Sequence, residues 1–169
     1  MTQRTRILIV LALFILIGAA LGAYTLLNMQ KIASAPPSTP QPGMIHVYVD
    51  GTVTANLAPA DLEKLPPSSF NDLEEGKPQE GWWLRDVVRL YVPESKLTPA
   101  SRITVAGLRQ ATAKTFTLTW AQAVEPANNV GFDLAGDGQS MKLASTMEGF
   151  AVRDAWVQGV NRIDIQTRP

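Results

Sequence analysis

The hydrophobic pattern divides the chain into three stretches. Residues 7–30 are 24 consecutive uncharged positions, rich in Ile, Leu, Val, Ala and Phe, bounded by Arg6 and Lys31. A helix rising ~1.5 Å per residue makes such a run roughly 36 Å long, enough to cross a hydrocarbon core of about 30 Å with some tilt. Lipid offers no partners to backbone N–H and C=O groups, so a single crossing segment must be helical. Residues 33–43 then hold Pro36, Pro37, Pro40 and Pro42 among Ser, Thr and Gln. That composition predicts a semi-rigid polyproline spacer of on the order of 30 Å.

From residue 44 the periods are those of a folded domain. Ile45, Val47 and Val49 alternate with His46 and Tyr48, which predicts a half-buried strand, and Asp50-Gly51 predicts a tight turn. Pro59 opens a short helix over 60–65, which Pro66-Pro67 ends. Residues 68–80 are polar and read as a surface loop. Over 82–91 the period becomes helical, with Leu84, Val87, Val88 and Tyr91 on one face, until Pro93. Strands are predicted over 102–107 and 113–119, a helical turn over 120–124, and a hairpin from 130–135 and 140–143 around Gly136-Asp137-Gly138. A last strand over 156–165 slips in its alternation at Gly159 or Asn161, which predicts a bulge. Strands with short helices between them predict an α+β domain over 44–169. It follows a polar head (1–6), a transmembrane signal anchor (7–30) and a Pro-rich linker (31–43).

Charge sets the expected orientation. Arg4 and Arg6 precede the apolar run, and beyond Lys31 the next base is Lys64, so the positive-inside rule places the N-terminus in the cytoplasm. The domain then lies outside it, periplasmic or extracellular. The competing reading is a cleaved signal peptide with its apolar region over 7–17. Its cleavage would fall at Ala33-Ser34-Ala35, which Pro36 hinders, or at Ala20-Leu21-Gly22. Export follows either way. Gly18 and Gly22 are four apart, a spacing that lets a partner helix pack closely. The domain itself holds 12 basic and 15 acidic residues, a net charge of −3 without a basic stripe, which argues against nucleic acid.

Candidate chemistry is sparse. The chain has no Cys and one His, His46, on the polar side of the first strand. No thiolate metal site, convincing zinc or copper ligand set, or serine triad follows. Asp133 and Asp137 resemble the start of a calcium loop, but Ala135 and Ala144 occupy ligand positions. Glu74, Glu75 and Glu80 read as a solvated run. Trp83 falls on the apolar helical face, whereas Trp82 points about 100° away and is a candidate contact anchor. Trp156, three residues after Arg153, is a second. Arg102, Arg109 and Arg153 are candidate anion contacts.

The order of segments resembles the molybdopterin-binding domain of the sulfite-oxidase type. The resemblance rests on Gly51-Thr-Val53, the 60–66 stretch Ala-Asp-Leu-Glu-Lys-Leu-Pro and Gly81-Trp-Trp-Leu-Arg-Asp-Val-Val88. It continues through Arg102-Ile-Thr-Val105, the 116–123 step Phe-Thr-Leu-Thr-Trp-Ala-Gln-Ala and the closing 156–165 strand. It implies a mixed α+β fold of several small sheets with a β-grasp-like part. Catalytic members bind molybdenum through a Cys thiolate, which this chain lacks, and Ala106-Gly-Leu-Arg109 stands where they carry an Asp-Gly-Tyr-like segment. The resemblance therefore implies the scaffold and not the activity. The expected function is a non-catalytic, membrane-anchored interaction module without a cofactor, an accessory subunit of an electron-transfer type membrane complex. Its expected partners are the bilayer and the other subunits. The alternative is a pterin- or anion-binding protein, with molybdopterin as its ligand.

Overall fold

The computed structural model describes residues 44–134 and 140–168. Among them, β1 (Ile45–Val49), β2 (Thr52–Leu57), β5 (Arg102–Arg109), β6 (Thr112–Thr119) and β10 (Val160–Gln166) form one sheet in the order β2-β1-β10-β5-β6. The second sheet, in the order β3-β4-β7-β8-β9, comprises β3 (Ser68–Asn71), β4 (Pro78–Trp83), β7 (Gly131–Leu134), β8 (Met141–Ala144) and β9 (Val157–Gln158). Among the described residues helical structure is limited to α1 (Leu84–Arg89), α2 (Trp120–Val124) and short 3-10 segments.

This overturns the expected α+β class, together with the small sheets and β-grasp-like part that the resemblance implied: the fold is mostly β. The physical reason lies in residues 68–80, where a polar surface loop was expected. Phe70 pairs with Gln79 across a β3–β4 hairpin, and two added strands complete a second sheet of five. The helix predicted from Trp82 begins at Leu84, because Trp82 and Trp83 end β4 opposite Phe132 and Gly131. The anchor expected over 7–30, with Gly18 and Gly22, lies outside the described residues, as does the turn at 136–138. Among the described residues no helix is long and apolar enough to cross a membrane.

Elsewhere local signals act as their chemistry dictates. Asp50 and Gly51 both take positive φ, 49° and 81°, and close a two-residue hairpin between β1 and β2. Asp50 also accepts from the Thr167 N–H and hydroxyl, each at 2.8 Å, which ties the C-terminal end to the first turn. β1 pairs in parallel with β10, so the first and last strands of the domain lie side by side. In α2, Thr119 and Gln122 form a reciprocal capping box, the Thr hydroxyl accepting from the Gln122 N–H and the Gln amide oxygen from the Thr119 N–H.

The core is built from alternation. Ile45, Val47, Ile103, Val105, Ile163 and Ile165 are buried from the first sheet, while His46, Tyr48, Thr104 and Thr117 occupy the alternate positions. The second sheet contributes Phe132, Met141, Leu143 and Val157, and α1 contributes the stripe Leu84, Val87 and Val88.

The predicted 156–165 strand is two strands. Its break at Gly159 (φ 61°) transfers the chain from β9 in one sheet to β10 in the other. The bulge expected at Asn161 is present as a register shift between Val160 and Arg162. At this crossing the backbones nearly touch. A Cβ on Gly107 would lie 2.4 Å from the Gln158 carbonyl oxygen, and one on Gly159 would lie 2.2 Å from that of Leu108. Backbone atoms cannot yield as a side-chain tip can. Gly107→Ala is therefore expected to lower unfolding free energy by roughly 2 to 3 kcal/mol in urea titration. Gly149→Ala has open space around its Cβ and strains only its positive φ, so it should cost less. Equal costs would contradict a packed crossing.

Candidate functional site

The crossing sets one wall of an open cleft of about 220 Å³, lined by Arg109, Gln110, Thr112 and Lys114 of the β5–β6 hairpin and by Arg153, Asp154, Trp156 and Gln158. Each side chain is placed by an element already described. Arg109 ends β5 and Lys114 lies two residues into β6, with Gln110 and Ala111 forming a tight turn at positive φ between the strands. Arg109 is paired with Thr112 and Lys114 with Gly107, so the two cations share the face on which β9 crosses β5.

The cations of the cleft are held in two different ways. Arg153 is neutralised: its guanidinium meets Asp72 at 2.8 Å and Glu75 at 2.9 Å, and its backbone N–H donates to Glu74 at 3.0 Å. Arg109 instead donates to the Gln158 amide oxygen, and Lys114 to the Asp154 backbone carbonyl. Both acceptors are neutral, and neither cation has a carboxylate within ion-pairing distance among the described residues. Two positive charges are thus positioned without being cancelled, which suits charge-assisted bonds to a carboxylate or phosphate. Asp154 is the one acid in the lining.

Asp72 anchors the far wall. Its side chain is fully buried, although an isolated carboxylate there would be costly. Hydrogen bonds from the Glu75 N–H at 2.6 Å and the Glu74 N–H at 3.1 Å make an Asx turn, and Gln79 Nε2 donates at 3.2 Å. The Glu75 N–H above all, then Arg153, pull its pKa from 3.8 to about 2, against the opposing effect of burial.

Of the residues singled out in the sequence, the fold brings Arg109, Arg153 and Trp156 to this cleft. Arg102 sits at the opposite end of β5, paired with Thr119 and Gln166. Trp156 is 3% exposed, donates from Nε1 to the Phe150 carbonyl at 3.1 Å, and carries Arg153 and Lys142 over its ring. Trp82 packs against the core and borders a shallow depression with Pro67, Ser68, Ser69, Glu80 and Gly81. The helical reading of the Trp pair fails at Trp83, which stacks with Phe70 at 6.1 Å and lies under Arg85. Lys114 and Gln158 escaped the sequence reading. The available signal was that Lys114 is the single charge in the strand Thr-Ala-Lys-Thr-Phe-Thr-Leu-Thr.

Comparison with known proteins assigns no relative: no protein-family model matches the chain, and no curated protein matches it either.

The Asp72 arrangement has a pH signature. Its depressed pKa contributes stability that is complete above about 3.8 and is lost as pH falls toward about 2. Asp72→Asn is expected to melt below the wild type at pH 7. The difference between the two midpoints, followed by circular dichroism, should narrow between pH 4 and 2. A constant difference across that range would contradict the role given to the carboxylate.

Proposed function

We propose that the chain is an exported, membrane-anchored docking module whose domain holds a partner through anionic groups, in the manner of an accessory subunit of a membrane complex. The observation that carries this reading is the pair Arg109 and Lys114, each fixed by a neutral oxygen and left with its charge available. The anchor and the outward orientation rest on the charge-free run 7–30 and the arginines before it.

The cleft volume of about 220 Å³ favours one of two kinds of anion. Pockets that engulf a cofactor-sized molecule occupy roughly 300–1,000 Å³. This one suits a group protruding from a larger partner. A free pterin or other small anion is the second reading, favoured by the convergence of Arg109 and Lys114 on one cleft. The chain does not fit the molybdenum form of that ligand, because it offers no thiolate to the metal.

Two measurements test the proposal. Alkaline phosphatase fused after Pro169 should be active in intact cells, while a fluorescent-protein fusion that matures only in the cytoplasm should stay dark. Tagged protein taken from native membranes in mild detergent should run with other polypeptides, and Lys114→Glu with Arg109→Glu should release them. A cytoplasmic domain, or recovery only as a free monomer, would overturn it. Pterin and metal analysis of the same preparation separates the second reading.

A further inference from the structure

β6 is an edge strand, bonded on one side to β5 and on the other to nothing among the described residues. It pairs with β5 over eight uninterrupted positions. The opposite edge of the same sheet, β2, carries a register shift against β1. Folded proteins protect long edges with bulges, prolines and charges. β6 has no bulge, no proline and one lysine.

The backbone groups that face outward follow from the turn. A two-residue hairpin makes its flanking pair, Arg109 and Thr112, a hydrogen-bonded pair, and the pattern then alternates. Ala113, Thr115 and Thr117 therefore turn their N–H and C=O groups away from β5. The Leu108 N–H donating to Gly159 at 3.0 Å agrees, since Leu108 faces Ala113 in a non-bonded pair. The inner side of this edge is also furnished. Phe116 stacks on Phe150 at 3.7 Å and Lys114 bonds the Asp154 carbonyl, so residues 150–154 run alongside β6. Val152, between those contacts, is 52% exposed.

We propose that β6 and the cleft at its hairpin end form one recognition surface for an extended, acidic segment of a partner protein. The segment adds as a further strand to β6. Its backbone bonds Ala113, Thr115 and Thr117, and its carboxylates meet Arg109 and Lys114. Charge selects this occupant: among the described residues the two cations at the tip have no carboxylate partner. The inference names the partner chemistry of the docking role proposed above and rests on it.

The test uses the purified full chain in detergent and a fluorescein-labelled eight-residue peptide of alternating glutamate and valine. A lysine–valine counterpart and a glutamate peptide N-methylated at alternate residues serve as controls. Saturable anisotropy is expected for the glutamate peptide, with binding weakened about tenfold or more in each control. Lys114→Glu should weaken it similarly. Thr115→Pro removes an outward N–H and spares the β5 ladder, so it should abolish binding with the circular dichroism spectrum unchanged. The N-methylated peptide tests the same bonds without altering the protein. Equal binding of the charge-swapped peptides, or indifference to N-methylation, overturns the proposal. So does self-association of the chain that Thr115→Pro dissolves, because the edge then belongs to a second copy. The assay does not depend on which side of a membrane the domain faces, so its failure is distinct from failure of the topology test.

Discussion

The close passage of Gly107 against residues 157–159 governs the rest of the domain. It lets one continuous segment leave the second sheet as β9 and enter the first as β10, beside β1. A side chain at either glycine would push the sheets apart by more than van der Waals packing tolerates. The same passage puts Gln158 next to Arg109 and sets Arg153, Asp154 and Trp156 opposite the β5–β6 hairpin. The cleft is therefore a by-product of how the two sheets are joined.

Charge is distributed with the same economy. Arg153 spends its guanidinium on Asp72 and Glu75, stitching the segment before β9 to the β3–β4 hairpin. Arg162 is likewise spent on Asp164, and Arg89 on Asp86 and Glu94. Exposed pairs of this kind add little to stability, while the buried Asp72 would be costly without its donors. Arg109 and Lys114 are held in another way. Their partners are an amide and a backbone carbonyl, so a domain of net negative charge keeps a local positive site. The adjacent free edge supplies the directional bonds that a pair of point charges lacks.

Legibility in the sequence followed locality. The alternation of Ile45, Val47 and Val49, the Asp50-Gly51 turn and the helical turn at residues 120–124 all depend on neighbours within a few residues, and all were readable. The β3–β4 hairpin was not, because Ser68–Asn71 and the first half of Pro78–Trp83 are largely polar, and Gln79 is buried through its bond to Asp72, which Arg153 joins from far along the chain. Trp82 and Trp83 satisfied a helical period and a strand alternation equally, and pairing with β7 decided for the strand. In the site, Arg109 and Arg153 were recognisable as cations. Their different fates were not, since Asp72 lies 81 positions from Arg153 and Gln158 lies 49 from Arg109. Trp156 read as a surface anchor because its Phe150 acceptor and covering cations are invisible to periodicity.

The most direct test of the account is photo-crosslinking in native membranes, with a photoreactive residue placed at Thr115 on the β6 edge or at Thr54 on the β2 edge. The account predicts an adduct from position 115 to an acidic segment of another membrane-complex polypeptide, lost when Arg109 and Lys114 are both changed to Glu, and none from position 54. Adducts from position 54 alone, or adducts from 115 that persist after the charge reversal, would contradict it.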